Sequence, residues 1–303
     1  MDTRKADDFS ESFGTKAFYD VADLFGSRPR ADVAVICSPN GLHAFHSMEA
    51  LKAGYHVLCE KPMAIRKEDC MAMMEAARTA GKQLIIVKQN RFNPPVAALK
   101  KVVEEGKLGR IFNVQVNCFW NRNTDYYSDG WRGRLDLDGG TLFTQFSHFI
   151  DLLHWIAGDV AKVNAILANY MHKGIIEFED TGVVLFEFDN GAIGSLNFTV
   201  NSHHKNMEGS ITVFGEKGTV KVGGQYLNEL GYQDIEDHAI PSLHPGNRPN
   251  DYGSYTGSMS NHEKVYENLI DVLTCDKEPA AHGRDGLKTV EIIEKIYQSA
   301  NRI

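Results

Sequence analysis

The sequence predicts two joined folds: a short parallel α/β sheet, then an α+β domain built on a large, mostly antiparallel open sheet. Three observations carry this. Ahead of residue 88, short β-branched apolar runs alternate with helix-length stretches, the rhythm of strands and covering helices in a parallel sheet. Beyond residue 95, segments with period-two alternation follow one another, some across short Gly turns, the rhythm of antiparallel pairing. Between them the KQNRFNPP stretch at 88–95 breaks both patterns, so domains are expected at 1–88 and 89–303.

Each element has its own signal. Residues 7–25 read as a helix, a turn at Gly14 and a second short helix over 21–25. VAVI at 33–36 is a buried strand, and Ser38-Pro39-Asn40 ends it on the edge where ligands sit in open parallel sheets. A helix over 42–53 closes at Gly54, and HVLC at 56–59 is a second strand that delivers Glu60, Lys61 and Pro62 to the same edge. An Ala/Met-rich helix over 68–80 closes at Gly81 and leads to the strand 83–87. In the second domain we expect a helix at 95–105, strands at 110–120, 181–188, 192–200 and 210–214, and hairpin turns at 189–191 and 215–218. A single helix is expected over 139–155, and helices over 263–273 and 286–303 close the chain, the last able to pack back on the first domain.

At 303 residues the chain is long enough for two cores, and 43% hydrophobic with 24% charged residues is ordinary for a globular protein. A net charge of −8 with no basic stripe argues against nucleic-acid binding. An anionic ligand would need local cations, which exist in Lys61, Arg91, Arg122, Arg132, Arg134 and Lys205. The five cysteines are scattered without a Cys-x-x-Cys pair, which fits a reducing cytoplasm, with Cys37 and Cys59 expected inside buried strands. Residues 1–10 are too polar for a secretory apolar region, and no run approaches a membrane span.

Two groups can carry chemistry. Pro62 biases Lys61 toward an extended backbone, so the ammonium can point into the crevice and polarise or deprotonate a hydroxyl, although a Lys-Pro at a strand end is also a common solvated turn. Thr144, Ser147, His148 and Asp151 fall at i, i+3, i+4 and i+7 of the expected helix, a polar stripe that either faces water or lines a site. His148 is then either a proton acceptor or a histidine satisfied by a carbonyl. The His43/His46 and His203/His204 pairs lack cysteine or carboxylate partners at ligand spacing, so no metal site is expected.

Ser38-Pro39-Asn40-x-x-His43, Glu60-Lys61-Pro62, Asn90-Arg91-Phe92, Gly139-Gly140 and His148-x-x-Asp151 together resemble the Gfo/Idh/MocA family of NAD(P)-dependent sugar oxidoreductases. VKQNRFNP at 87–94, WRG at 131–133, GTLFTQFSH at 140–148 and EGSITVFGEKGTV at 208–220 look like its branch of UDP-N-acetylglucosaminuronate 3-dehydrogenases of lipopolysaccharide sugar synthesis. The resemblance implies an NAD enzyme with an N-terminally truncated Rossmann-like sheet, since no G-x-G-x-x-G occurs in the chain. It implies that Lys61 and His148 are catalytic and that Ser38, Pro39, Asn40, His43, Glu60, Lys61, Asn90 and Arg91 border the cofactor. Lys61, Arg132, Thr144, Gln145 and His148 are the implied substrate contacts. Thr144 stands where many members carry an aspartate. A homo-oligomer formed through the second sheet is implied as well. Two other readings remain: a cofactor-less sugar-binding relic or subunit, and a family dehydrogenase for another sugar or inositol.

Overall fold

The computed structural model describes residues 3–27, 31–253 and 255–302. Helix α1 (Thr3–Phe13) stops at Gly14, where φ is +62°, and α2 (Val21–Gly26) begins where the Asp20 carboxylate accepts from the Ala22 amide at 2.7 Å. Strands β1 (Val33–Ile36), β2 (His56–Cys59) and β3 (Leu84–Ile86) alternate with helices α3 (His43–Lys52) and α4 (Lys67–Ala80). The strands lie in the order β1-β2-β3, all parallel, with Val35 opposite Leu58 and Leu58 opposite Ile85. That order puts three carboxyl ends on one edge, which carries Ser38 after β1, Lys61 after β2 and Gln89 after β3.

The second part runs α5 (Pro94–Glu104), β4 (Ile111–Phe119), α6 (Thr141–Thr144), α7 (Ser147–Ala157), β5 (Val160–Ala168), β6 (Thr181–Phe188), β7 (Ile193–Thr199), β8 (Glu208–Gly215), β9 (Gly218–Gly223) and β10 (Glu229–Ile235). A small hairpin of β11 (Pro249–Asp251) and β12 (Thr256–Met259) follows, then α8 (His262–Cys275), α9 (Gly283–Ser299) and β13 (Ala300–Arg302). Eight strands form one sheet in the order β10-β9-β8-β4-β7-β6-β5-β13. Its inner face buries Val114, Val116, Val184, Phe186, Leu196 and Phe198, with α7 lying against β4. Helix α9 joins the two parts. It packs on α4, β3, α7 and β5, and its Glu294 carboxylate accepts from the Lys67 amide at 2.9 Å.

Four sequence expectations change. The helix expected over 139–155 is broken after Thr144, because Phe146, fully buried against Trp120, Phe149 and Phe198, turns the chain into the core before α7 starts. Residues 300–302 leave the helical path to pair with β5 in parallel, giving the open edge at Ala165, Ile166 and Leu167 a partner. Strand β5 escaped the sequence reading because a bulge between Val160 and Lys162 interrupts its alternation. Cys37 lies just past β1 and is exposed, whereas Cys59 is buried.

Candidate active site

Above the carboxyl ends of the parallel strands lies a cleft of about 440 Å³ bordered by both parts of the molecule. Ser38, Asn40, His43, Glu60, Lys61, Arg132, Thr144, Gln145 and His148 all line it. The Ser38 loop is held from several sides. The buried His43 ring lies 2.7 Å from Ser38 O and 2.6 Å from Pro62 O, bridging the loops after β1 and β2, and His46 Nδ1 meets the Ser38 hydroxyl at 2.8 Å. Gly41 donates its amide to Leu137 O at 2.8 Å, and a Cβ there would come within 2.1 Å of Asp136 O, so only glycine permits this approach of the two loops. Pro39 shapes the same turn, its carbonyl accepting from the Leu42 amide at 2.9 Å.

Lys61 reaches across the cleft and donates from Nζ to Thr144 O at 2.5 Å. Burial pulls its pKa down to about 8, helped by Lys88 and Arg122 and opposed by Glu60 and Asp138. Glu60 itself accepts from His262, 3.2 Å away, and this partner together with Lys61 holds its carboxyl below the ordinary value against the effect of burial. His148, buried on the first turn of α7, receives the Gln89 amide N–H at 3.1 Å. Burial first, then the charges of Lys61 and Lys88, push its pKa well below the ordinary value, so the imidazole is neutral at working pH. The Gln145 amide lies against the cleft with neither its oxygen nor its nitrogen partnered among the described residues, which leaves it free to orient a ligand.

The break before α7 removes the continuous stripe and builds something else from it. The Thr144 hydroxyl donates to the Asp138 carboxylate and receives Asn40 Nδ2 at 2.7 Å, while Asn40 also donates to Asp138 O at 2.8 Å. Asp138 is fully buried and accepts the Gly133 amide at 2.8 Å; burial pushes its carboxyl up to about 6, against the pull of Thr144 and Gly133. A carboxylate therefore does stand behind Thr144, supplied from six residues earlier in the chain. The sequence reading missed it because nothing local distinguishes Asp138 from its neighbour Asp136, which is exposed and paired with Arg134 at 2.8 Å.

Two implied cofactor contacts are placed elsewhere. Arg91 points away from the cleft into a buried charge cluster, donating twice to Asp151 at 2.8 and 2.9 Å and once to Asp285 at 2.9 Å. Lys88 adds a second cation to Asp151 at 3.2 Å, and these partners hold the Asp151 carboxyl well below the usual range despite its burial. The physical reason is simple: an arginine exposed by only 6% needs a counter-ion, and α7 and α9 present two. Asn90 is buried beside it and does not line the cleft. The sequence reading also gave no role to Trp120, Tyr126, Trp131 and Tyr255, which do line it.

This arrangement, an open parallel sheet with Lys61 and His148 in one cleft at its carboxyl edge and a second domain closing over it, has the layout of a dinucleotide-dependent oxidoreductase. The comparisons agree. The oxidoreductase-family NAD-binding Rossmann fold matches residues 1–88 and the family's C-terminal alpha/beta domain matches residues 100–302, so the chain belongs to the Gfo/Idh/MocA oxidoreductases, whose first domain binds NAD. The WlbA dehydrogenase of Bordetella pertussis, solved with NADH and UDP-GlcNAcA, superposes with a TM-score of 0.87 at 38% identity, covering 98% of this chain and 85% of that one. WlbA from Chromobacterium violaceum, solved with the same ligands, gives 0.86 at 37% identity, covering 98% and 83%. Among curated relatives, levoglucosan dehydrogenase of Pseudarthrobacter phenanthrenivorans is 29% identical over 70% of this chain and 60% of its own length. A 1-carboxy-3-chloro-3,4-dihydroxycyclohexa-1,5-diene dehydrogenase of Comamonas testosteroni is 31% identical over 77% and 55%. The matched stretch thus spans a little over half the length of these relatives.

The chain's fit to NAD is uneven. The Ser38 loop and the Glu60-Lys61 turn, tied together by His43, form a wall at the strand ends, the edge at which open parallel sheets bind their ligands. No Gly-rich turn that would cradle a pyrophosphate occurs in the sequence. No group of three or more His, Cys, Asp or Glu among the described residues is placed to hold a metal, and no described helix is long and apolar enough to cross a membrane.

Proposed function

We propose that this chain oxidises a secondary hydroxyl, at C3, of a UDP-linked N-acetylated hexuronic acid, with NAD as the hydride acceptor, in lipopolysaccharide sugar synthesis in the cytoplasm. The observation that carries the reading is the meeting of two proton acceptors in one cleft: a lysine whose pKa is drawn down to about 8, and a neutral imidazole. Bound NAD supplies the acceptor for the hydride leaving the carbinol carbon. Lys61 and His148 would stand to either side of a hydroxyl bound in the cleft, and one of them would take the O–H proton as the carbinol is oxidised to a ketone. Gln145, Arg132 and Thr144 orient the sugar, and Ser38, Asn40 and Glu60 border the cofactor. The likeness to the WlbA enzymes supports the choice of sugar nucleotide.

The test is a pair of titrations on the purified chain: NADH, followed by its fluorescence, and UDP-N-acetylglucosaminuronate, followed by calorimetry. Binding of both supports the dehydrogenase. Binding of the sugar nucleotide without NADH would favour a sugar-binding subunit instead.

A further inference from the structure

One buried cation beside the cleft takes no part in the proton transfer. Arg122 follows β4 and lines the cleft, yet only 4% of it is exposed. Its guanidinium carbon lies 4.9 to 5.2 Å from the ring centres of Trp120, Tyr126 and Tyr255. A buried arginine ordinarily answers a carboxylate, as Arg91 does in this same chain with Asp151. Arg122 has no such partner among the described residues. Its Nη1 donates to Asn121 O at 2.5 Å and to Asn206 Oδ1 at 3.2 Å, its Nη2 reaches Thr256 O only at 3.5 Å, and its Nε finds no acceptor among the described residues. Asn206 is itself fixed by bonds to Tyr226 and Thr256, at 3.1 and 3.0 Å, so the guanidinium is held in place before any ligand arrives.

The neighbouring charges sharpen the point. Arg132 stands over the same Tyr126 and Tyr255 rings, at 4.4 and 5.7 Å, with its Nε also unpartnered. Its own carboxylate, Asp129, is 2.8 Å from the other end of its guanidinium. Lys61 completes a cleft wall that concentrates positive charge in a chain whose net charge is −8. Asp129 answers Arg132 and Glu60 stands beside Lys61 on the same wall, so Arg122 is the member of this cluster with no carboxylate beside it among the described residues.

We infer that Arg122 is an anion receptor in the substrate cleft, its free N–H groups taking the oxygens of a substrate carboxylate or phosphate while the three aromatic rings fix the plane of the fork. This deepens the proposed function and rests on it, because a nucleotide-linked uronic acid offers both kinds of oxygen. Arg122 binds rather than reacts, and the aromatic rings make the site specific for an arginine over a lysine.

The experiment measures dissociation constants of the full chain, its Arg122→Gln form and its Arg122→Lys form. Four probes are used: UDP-N-acetylglucosaminuronate, neutral UDP-N-acetylglucosamine, glucuronate and inorganic pyrophosphate. Arg122→Gln is expected to weaken the uronate nucleotide by at least about tenfold, and Arg122→Lys by less, since charge remains but the fork is lost. A loss confined to the two uronates places the carboxylate on Arg122. A loss shared by the two nucleotides and pyrophosphate places phosphate there. Should Arg122→Gln fail to fold, Arg122→Lys gives the reading alone, and an unchanged affinity overturns the inference. Parent binding of none of the four probes also overturns it. If the parent binds a simple anion through Arg122 but no sugar nucleotide, the substrate reading falls and the anion site stands. If sugar nucleotides bind equally well to parent and variants, the anion site falls and the substrate reading stands.

Discussion

At the scale of single residues, Lys61 sets the pH response. Its amine loses a proton near pH 8 rather than at the ordinary lysine value, so the base form grows as pH rises through that point. In the oxidation direction kcat/KM should climb through about pH 8, and Lys61→Ala should remove both the climb and nearly all turnover while sugar-nucleotide affinity stays close to the parent value. A variant that keeps full activity would remove Lys61 from the mechanism. If the neutral buried imidazole of His148 is the second acceptor, as proposed, His148→Asn should lower turnover and shift the profile; an unchanged profile would return it to a structural role. Asp138 acts in the opposite sense on stability. Its folded pKa of about 6 lies above the ordinary 3.8, so its contribution is fully present below about pH 4 and is lost as pH rises through 6. Asp138→Asn should therefore gain in melting temperature relative to the parent between those limits, an effect on the order of 3 kcal/mol at full ionisation. A constant offset across the range would show that Asp138 does not titrate there. Lys61 and His148 were legible because each sits beside a local signal, a proline or an apolar helix. Asp138 was not, since its meaning comes from Thr144, and Arg122 could be named only as one of six candidate cations, since Tyr126 and Tyr255 are brought to it by folding.

At the scale of elements, the break between α6 and α7 decides the site. A continuous helix would have aligned Thr144 with His148 and Asp151; the observed break instead gives Thr144 to Asp138 and Lys61, while Asp151, three residues after His148 on α7, pairs with Lys88 and Arg91. Periodicity read the apolar content of this stretch correctly but could not foresee that Phe146 would be claimed by the aromatic cluster beneath the sheet. Asp151 now neutralises Lys88 and Arg91, and through them anchors β3's exit to α7 and α9. Replacing it with alanine leaves two buried cations without their shared anion, and should cost roughly 3–5 kcal/mol of stability. Thermal or denaturant unfolding measures this, and a loss below about 1 kcal/mol would mean that water or Asp285 compensates. The hairpin turns at 189–191 and 215–218 appeared where Gly and Asn place them, joining β6 to β7 and β8 to β9. The parallel β4–β7 and β5–β13 pairs were illegible, because pairing between distant strands leaves no local pattern.

At the scale of the whole molecule, the sheet has one face under helices and one without a cover. On the uncovered face Ile166, Val183, Leu185 and Ile193 are each about half exposed, among Asn, Ser and Thr side chains. We expect a second copy to cover this face, giving a dimer or tetramer, and Leu185→Asp to shift the assembly toward monomer in light scattering. An unchanged mass would place any interface elsewhere. The two-part architecture was legible from the change of rhythm near residue 88; the way α9 ties the parts together across Glu294 and Thr289 is visible only in the fold. The central claim is that the Lys61–His148 cleft transfers a hydride from a UDP-linked hexuronic acid to NAD. The most direct measurement is NADH formation by the purified chain supplied with NAD and UDP-N-acetylglucosaminuronate, set beside its Lys61→Ala form. NADH is expected from the parent and almost none from the variant, with sugar-nucleotide affinity retained in both. Equal NADH from the two, or none from a parent that binds both ligands, would contradict it.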